Sequence, residues 1–356
     1  MNIITGIKLK TTIKRRMTGF LLLLACHVVA GMLLCSCSMM HEDRADCPDC
    51  RNPLRIHLRY DYNTQRANMF SDHVEEATIY IVDDATGLVM ERMTAANDHE
   101  SQPLRNADFA FNVEGLVPGR YRLYASGRSA ADTAFVTTEP AIGEPIAFLR
   151  HELPADADGR VPALRLDTVW TALQPVVVDL AEDEPTEATV RLMRLTNDLS
   201  VSVFRRDVPA DNSHDRYEVV VTQTAGPSAT SLAPLRTFSP FAQWTTESTA
   251  DGTIAERTAH YDLSIGRVVC HDDARLNDRL IIRNRDDGTE VVNIDLCHYL
   301  ALARNAFEIQ HYSIQEYLDR EYNYRLDFGL EGKRWKTVTI SIDVLSWSIR
   351  IQNEEL

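Results

Sequence analysis

From residue 54 to its end the chain is a succession of short apolar runs of period two, broken by turn signals at intervals of about ten residues. Leu54, Ile56 and Leu58 alternate with Arg55, His57 and Arg59, the pattern of a half-buried strand. Residues 78–82 are β-branched and aromatic, and Asp83, Asp84, Ala85, Thr86 and Gly87 turn them into Leu88, Val89 and Met90, which predicts a hairpin. Residues 108–113 alternate again. Leu116, Val117, Pro118 and Gly119 then turn into a run over 120–125, with proline setting φ and glycine free to take a positive φ. Further strands are predicted over 161–166 and 176–180. Strands this short, with no helical pattern between them, imply an antiparallel β-sandwich and argue against a parallel doubly wound sheet.

The acidic, proline-ended stretch 181–185 divides the chain into an N-terminal sandwich, 54–185, and a C-terminal sandwich, 186–356. In the second half, strands over 188–195 and 199–204 flank Thr196, Asn197 and Asp198, a turn cluster. Residues 217–222, 280–283 and 290–294 are further strands, whereas 223–252, rich in Ser, Thr, Ala and Pro, reads as loop with at most short strands. One short helix is predicted over 313–320, with Ile314, Tyr317 and Leu318 on one face. The chain closes on a strand over 336–344, where Val338, Ile340, Ile342 and Val344 share one face. Trp347, Ile349 and Ile351 have the opposite parity, so a bend or bulge is expected near Leu345 and Ser346. The fold class is therefore all-β, two tandem antiparallel sandwiches with one short helix in the second.

The segment before residue 54 has a different character. Lys8, Lys10, Lys14, Arg15 and Arg16 form a basic head, and residues 20–34 an apolar body. Leu34, Ser36 and Cys37 then stand at −3, −1 and +1 of a bacterial lipobox, which predicts removal of residues 1–36 and acylation of Cys37. An ordinary signal peptide would leave no lipid, but the cysteine follows the small residue directly. A retained spanning helix needs a longer apolar run than this. Cys35 is the poorer acceptor because bulky Leu34 precedes it. Lipid chains contribute ~0.8 kcal/mol per buried methylene, enough together to hold a soluble domain on a membrane. Residues 37–53 are charged and read as a tether, and His41, Glu42 and Asp43 resemble the surface-export signal of Bacteroidales lipoproteins.

The whole chain carries 37 basic and 52 acidic residues; the first 36 residues hold five basic and no acidic ones, so the mature chain has 32 against 52, a formal charge of −20. Such a surface disfavours nucleic acid and anionic headgroups. Cys47 and Cys50 form a C-x-x-C without a second pair to complete a zinc site and without a redox βαβ context, consistent with a local disulfide or two inert thiols. Cys270 and Cys297 could bridge in an oxidising compartment, at a distance the sequence leaves open. No catalytic motif stands out: the sequence lacks G-x-S-x-G, a glycine-rich phosphate loop and H-E-x-x-H. Asp156, Ala157, Asp158 and Gly159 lie out of register with a calcium loop and read as a turn. His151 and His214 read as solvated loop residues, and His271, Asp272 and Asp273 as a polar turn. Trp170, Trp244, Trp335 and Trp347 are assigned to packing, as is the pair Tyr60 and Tyr62. No cofactor or metal site is expected, and no enzymatic activity.

Several stretches, in this order and spacing, resemble one family. Arg59, Tyr60, Asp61, Tyr62 and Asn63, then Ala67, Asn68, Met69 and Phe70 with His73 and Val74, are similar to the opening of the FimB-type fimbrial anchor lipoproteins of Bacteroidales type V pili. Thr78, Tyr80, Val82, Asp83, Gly87, Leu116, Pro118, Gly119, Tyr121 and Leu123 continue the likeness. In the second half it is carried by residues 190–197, 315–321 and Trp347. The resemblance implies transthyretin-like sandwiches and a non-enzymatic, lipid-anchored protein at the outer membrane. Such a protein attaches the base of a fimbria and limits its length through contact with a shaft subunit. It further implies that shaft subunits lose their first strand to an arginine-specific protease while anchors keep theirs; Arg55 and Arg59 fall inside the first strand here. The segment carrying Val338, Ile340, Ile342, Val344, Trp347, Ile349 and Ile351 has the composition of a strand that joins a partner, or is simply the last strand of the second sandwich. The alternative function is a tip or stand-alone adhesin or glycan-binding lipoprotein.

Overall fold

The computed structural model describes residues 54–129, 134–181, 184–205, 216–225, 232–250, 253–331, 334–342 and 345–352. The stretch 1–36 read as a signal peptide, and Cys37, Cys47, Cys50, His214 and Val344, lie outside the described residues.

The first half builds one sheet that bends over its own core. Its strands are β1 (Leu54–Arg59), β2 (Glu76–Asp83), β3 (Val89–Ala96), β4 (Phe111–Val113), β5 (Gly119–Arg128), β8 (Val169–Ala172), β9 (Val176–Leu180) and β10 (Thr186–Arg194). A separate ribbon, β6 (Val136–Thr138) with β7 (Arg150–Glu152), stands beside it. The order across the sheet is β3-β2-β5-β8-β10-β1-β4, with β9 also on β5. Leu54, Ile56 and Leu58 point into the core opposite Ile79, Ile81, Tyr121 and Leu123, while Arg55 and Arg59 stay outside, as the alternation predicts. The β2–β3 hairpin turns at Gly87, φ 72°, and Asp83 Oδ1 accepts both the amide and the hydroxyl of Thr86 at 2.7 Å. At the next turn the positive φ, 79°, falls on Gly115 and not on Gly119, which already begins β5. Residues 161–166 form no strand. Val161 and Leu166 instead insert into the core of the second half.

Thr186–Arg194, expected to open the second sandwich, pairs parallel with β1 and antiparallel with β8, so it belongs to the first sheet. The chain then changes sheets across Leu195 alone. Thr196, Asn197 and Asp198 are the first residues of β11 (Thr196–Arg205), not a turn. Their polar side chains suit a strand start because each has a partner there: Ser264 Oγ donates to Asp198 at 2.9 Å and Asn197 Nδ2 to the Gly266 carbonyl at 3.4 Å.

The second half is a sandwich of two sheets. One runs β14 (Ala242–Ala250), β15 (Thr253–Gly266), β11, β18 (Asn323–Glu331), β19 (Arg334–Ile342) and β20 (Leu345–Gln352). The other runs β13 (Leu232–Phe238), β12 (Tyr217–Ala225), β16 (Arg279–Asn284) and β17 (Glu290–Asp295). Val201, Leu263 and Leu326 of the first meet Val219, Leu280 and Val292 of the second in one core. The stretch read as loop, 223–252, contains two strands, β13 and β14: the Thr, Ser and Glu of β14 leave no apolar period for a hydrophobicity reading to find. Pairing is antiparallel except for β1 with β10 and β11 with β18.

Four short helices are described: α1 (Phe70–His73), α2 (Leu296–Ala301), α3 (Ala306–His311) and α4 (Ile314–Arg320). α4 is the predicted helix, started by Ser313 accepting from Glu316 N; α2 and α3 were not predicted, though Asp295 and a capping box of Asn305 with Glu308 start them in the expected chemistry. Cys270 and Cys297 are disulfide-bonded, with Cα atoms 5.6 Å apart, tying the segment after β15 to α2.

Candidate functional site

The C-terminal residues expected to meet a partner are split between two strands. Val338 and Ile340 of β19 are fully buried in the core, where β19 pairs with β18 on one side and β20 on the other. The parity switch comes with a reversal of direction between Ile342 and Leu345 into an antiparallel hairpin: Val338 pairs with Ile351 and Ile340 with Ile349, and the register then slips after Ser341 so that Ile342 pairs with Leu345, an irregularity where a bend or bulge is expected. Of these two strands it is β20, which carries Trp347, Ile349 and Ile351, that lies at an edge of its sheet among the described residues.

The two most distinctive sequence motifs meet each other. In the first, Tyr60 enters the N-terminal core edge-on to Trp170, centroids 5.6 Å apart, whereas Tyr62, two residues on, enters the C-terminal core. The shared parity of the two tyrosines thus serves neither a groove nor one core, because β1 has ended and the chain is turning. Asn63, buried, holds that turn by donating to the carbonyls of Tyr60 and Ala67, each at 2.9 Å. Asn68 Oδ1 accepts from the amides of Tyr60 and Phe70 at 3.0 and 3.3 Å.

In the second motif every side chain from Gln315 to Glu321 has an assignment. Tyr317 and Leu318 are core. Gln315 accepts from Cys270 N at 2.8 Å and donates to the Val268 carbonyl at 3.1 Å; Asp319 receives Arg267 through two bonds of 2.6 and 2.7 Å. Glu316 accepts Arg320 Nη2 at 2.8 Å, which aims the guanidinium over the rings of Tyr62 and Tyr312 at 4.1 and 4.5 Å. Burial pushes the Tyr62 hydroxyl up to about 12, with Asp319 and Glu316 adding to the shift.

Glu321 completes the junction. It is 2% exposed, and its carboxylate accepts from Thr64 Oγ1 at 2.9 Å and from the amides of Tyr322 and Asn323 at 2.9 and 3.1 Å. Burial still raises its pKa above the ordinary carboxylate value, since these bonds only partly replace lost hydration. Alongside, Arg66, at φ 56°, stacks on Phe307 at 3.8 Å, Thr64 N donates to the Arg320 carbonyl, and Arg191 pairs with Asp61 at 2.7 Å. The residues that stand out in sequence therefore form a clamp between the two sandwiches, and their chemistry is mechanical. Among the described residues no group of three or more His, Cys, Asp or Glu side chains is placed to hold a metal ion.

Two further readings change. His151 is 5% exposed, between Ser126 Oγ at 3.3 Å and Thr137 Oγ1 at 3.0 Å, and burial with nearby Arg128 lowers its pKa to about 4. Trp244 is not a packing residue: it is 42% exposed on the outer face of β14. Asp156 makes the expected turn, accepting from the amides of Asp158 and Arg160 at 2.9 and 2.8 Å.

Paired sandwiches locked by a helix-borne clamp define a class of tandem all-β proteins. The chain belongs to the family of fimbrillin-A associated anchor proteins, Mfa1 and Mfa2, whose model matches residues 44–353. This is a family of fimbria-associated proteins of the cell surface or envelope, as the opening and closing motifs led us to expect. No curated protein matches the chain significantly. Solved structures share its fold, three of them as follows. A candidate adhesin from Bacteroides thetaiotaomicron superposes with a TM-score of 0.69 at 22% identity, covering 86% of this chain and 99% of its own. A candidate polysaccharide-binding protein from the same organism gives 0.67 at 23% identity, over 85% and 98%. The fimbrial anchor protein Mfa2 from Porphyromonas gingivalis gives 0.61 at 15% identity, over 84% and 99%.

Proposed function

We propose that this protein is an outer-membrane lipoprotein that anchors the base of a fimbria and limits its length. In this reading residues 1–36 are a signal peptide, Cys37 carries the lipid, residues 37–53 are the tether, and the protein is not an enzyme. The observation that carries the reading is the position of β1. It lies inside its sheet, parallel to β10 and antiparallel to β4, and Leu54, Ile56 and Leu58 are at most 4% exposed. Burying each such side chain contributes about 1.5–3 kcal/mol, so losing the strand would expose a core and open two ladders. A subunit that keeps this strand offers no vacant groove there for a neighbour's strand and so ends a polymer on that side. Contact with the shaft subunit falls to an edge, and β20, the unpaired margin beside β19, is the candidate for strand addition.

Three measurements test this. Affinity capture of the protein from detergent-solubilised outer membrane is expected to bring down a fimbrial shaft subunit, and a palmitate analogue to label the protein but not its Cys37→Ala variant. Native protein exposed to an arginine-specific protease is expected to stay intact at Arg55 and Arg59. Cleavage there with release of the N-terminal segment would assign the chain to the shaft, not the anchor.

A further inference from the structure

The outer face of the β14-β15-β11-β18 sheet sets an exposed indole among polar side chains. Among the residues whose side chains are described, its outward ones are polar apart from small Ala242, partly exposed Phe204, Gly329 and one tryptophan. Trp244 lies on the ring of His260, centroids 5.0 Å apart and planes 19° apart, so one indole face is covered and the other is open. His260 cannot rotate away: its two nitrogens meet Ser202 Oγ at 3.1 Å and Thr246 Oγ1 at 2.8 Å. Burial, with Arg325 nearby, lowers the His260 pKa, so the ring under the indole is neutral near pH 7 and the platform carries no charge.

Beside this platform lies a cavity of about 410 Å³ whose walls include Asp198, Ser200, Asp262, Asn323 and Arg325. Its hydroxyls and carboxylates are held in place by one another: Ser200 Oγ donates to Asp262 Oδ1 at 2.7 Å, and Asp198 accepts from Ser264 Oγ and from Arg194, each at 2.9 Å. Arg325 is paired with Asp327 at 3.1 Å. From β14 to β18 the face spans three strand spacings, ~14 Å.

We propose that this face is a binding site for a neutral saccharide of two or three rings. The ligand must offer an apolar surface to the open indole face and, next to it, several hydroxyls that both donate and accept. An apolar ligand would strip water from Asp198 and Asp262 without replacing it. An anionic one would meet two carboxylates, with the only cation in the walls already paired. A sugar ring meets both requirements, stacking its C–H face on Trp244 and directing hydroxyls to Asp262, Asn323 and Arg325. Preformed side-chain geometry keeps the entropic cost of binding low. This inference is independent of the anchoring role.

The test is an array of neutral oligosaccharides built from glucose, mannose, galactose and N-acetylhexosamines, with acidic glycans beside them, probed with the purified protein. Hits are followed by titration of tryptophan emission. The expected result is binding of a neutral oligosaccharide that Trp244→Ala weakens about tenfold or more. Ser200→Arg, which fills the cavity without touching the indole, should abolish it; both positions are solvent-facing, so melting temperatures should stay near the wild-type value. Absence of any neutral ligand, selectivity for acidic glycans alone, or full binding by Ser200→Arg would overturn the assignment.

Discussion

His151 and Asp278 are buried titratable groups with opposite shifts. His151, lowered to about 4 from 6.5, is protonated more readily in the unfolded chain, so its contribution to stability is present above about pH 6.5 and lost as pH falls through 4. Asp278, fully buried and raised to about 7 from 3.8, although Gln223 Nε2 donates to it at 2.7 Å, behaves oppositely: its contribution is present below about pH 3.8 and lost as pH rises through 7. Each shift corresponds to about 3–4 kcal/mol, and between pH 4 and 6.5 the two largely offset one another. Urea titrations across this range should show His151→Gln tilting the stability profile downward with rising pH relative to wild type, and Asp278→Asn tilting it upward. Gly159 is a second sensitive position. At φ 77° it takes the left-handed region, and a Cβ there would lie 2.4 Å from the Leu235 carbonyl oxygen, at the point where the 156–161 turn bonds to Thr237 of β13. Gly159→Ala should cost about 1–3 kcal/mol, read as a lowered urea midpoint. None of this was legible in advance. The Asp156 turn was, because its bonds are local; the burial of His151 and the exposure of Trp244 depend on strands far apart in the chain.

At the scale of elements, the strands whose apolar residues alternate were legible: β1, the β2–β3 hairpin, β5, β9, β12, β16 and β17. β13 and β14 were not, because Pro234 and Arg236 interrupt the apolar run of the first and Thr, Ser and Glu dominate the second, so neither shows an apolar alternation. The break after β10 was placed at the proline-ended 181–185 stretch, whereas the sheets change at Leu195. A strand that pairs in parallel with a partner more than 120 residues away has no local signature of its sheet. The closing hairpin was read as one strand for a related reason: a reversal and a one-residue slip both flip parity. The disulfide is an element-scale prediction. Cys270 and Cys297 are 27 residues apart, and a loop of that length stabilises by about 3–4 kcal/mol when closed. Changing both to serine should lower the melting temperature, and a reducing agent should reproduce the drop in wild type but leave the double variant unmoved.

At the scale of the whole molecule, two of the several stretches that carry the family resemblance, 59–63 and 315–321, proved to be the two halves of one clamp. Tyr62 and Thr64 on one side and Arg320 and Glu321 on the other make the sandwiches share a buried, charge-assisted junction. In the proposed anchoring role, pull from a fimbria would pass through this joint, and this is where the sequence is most distinctive. The edge proposed to meet a shaft subunit left a weaker imprint, since backbone hydrogen bonding at β20 asks little of its side chains. Anchoring is tested most directly by deleting the gene and measuring fimbriae on cells and in the culture medium by electron microscopy and shaft-subunit immunoblot. The account predicts long fimbriae released into the medium, restored to cells by the wild-type gene but not by Cys37→Ala; fimbriae of normal length still attached to the mutant cells, with adhesion alone lost, would contradict it.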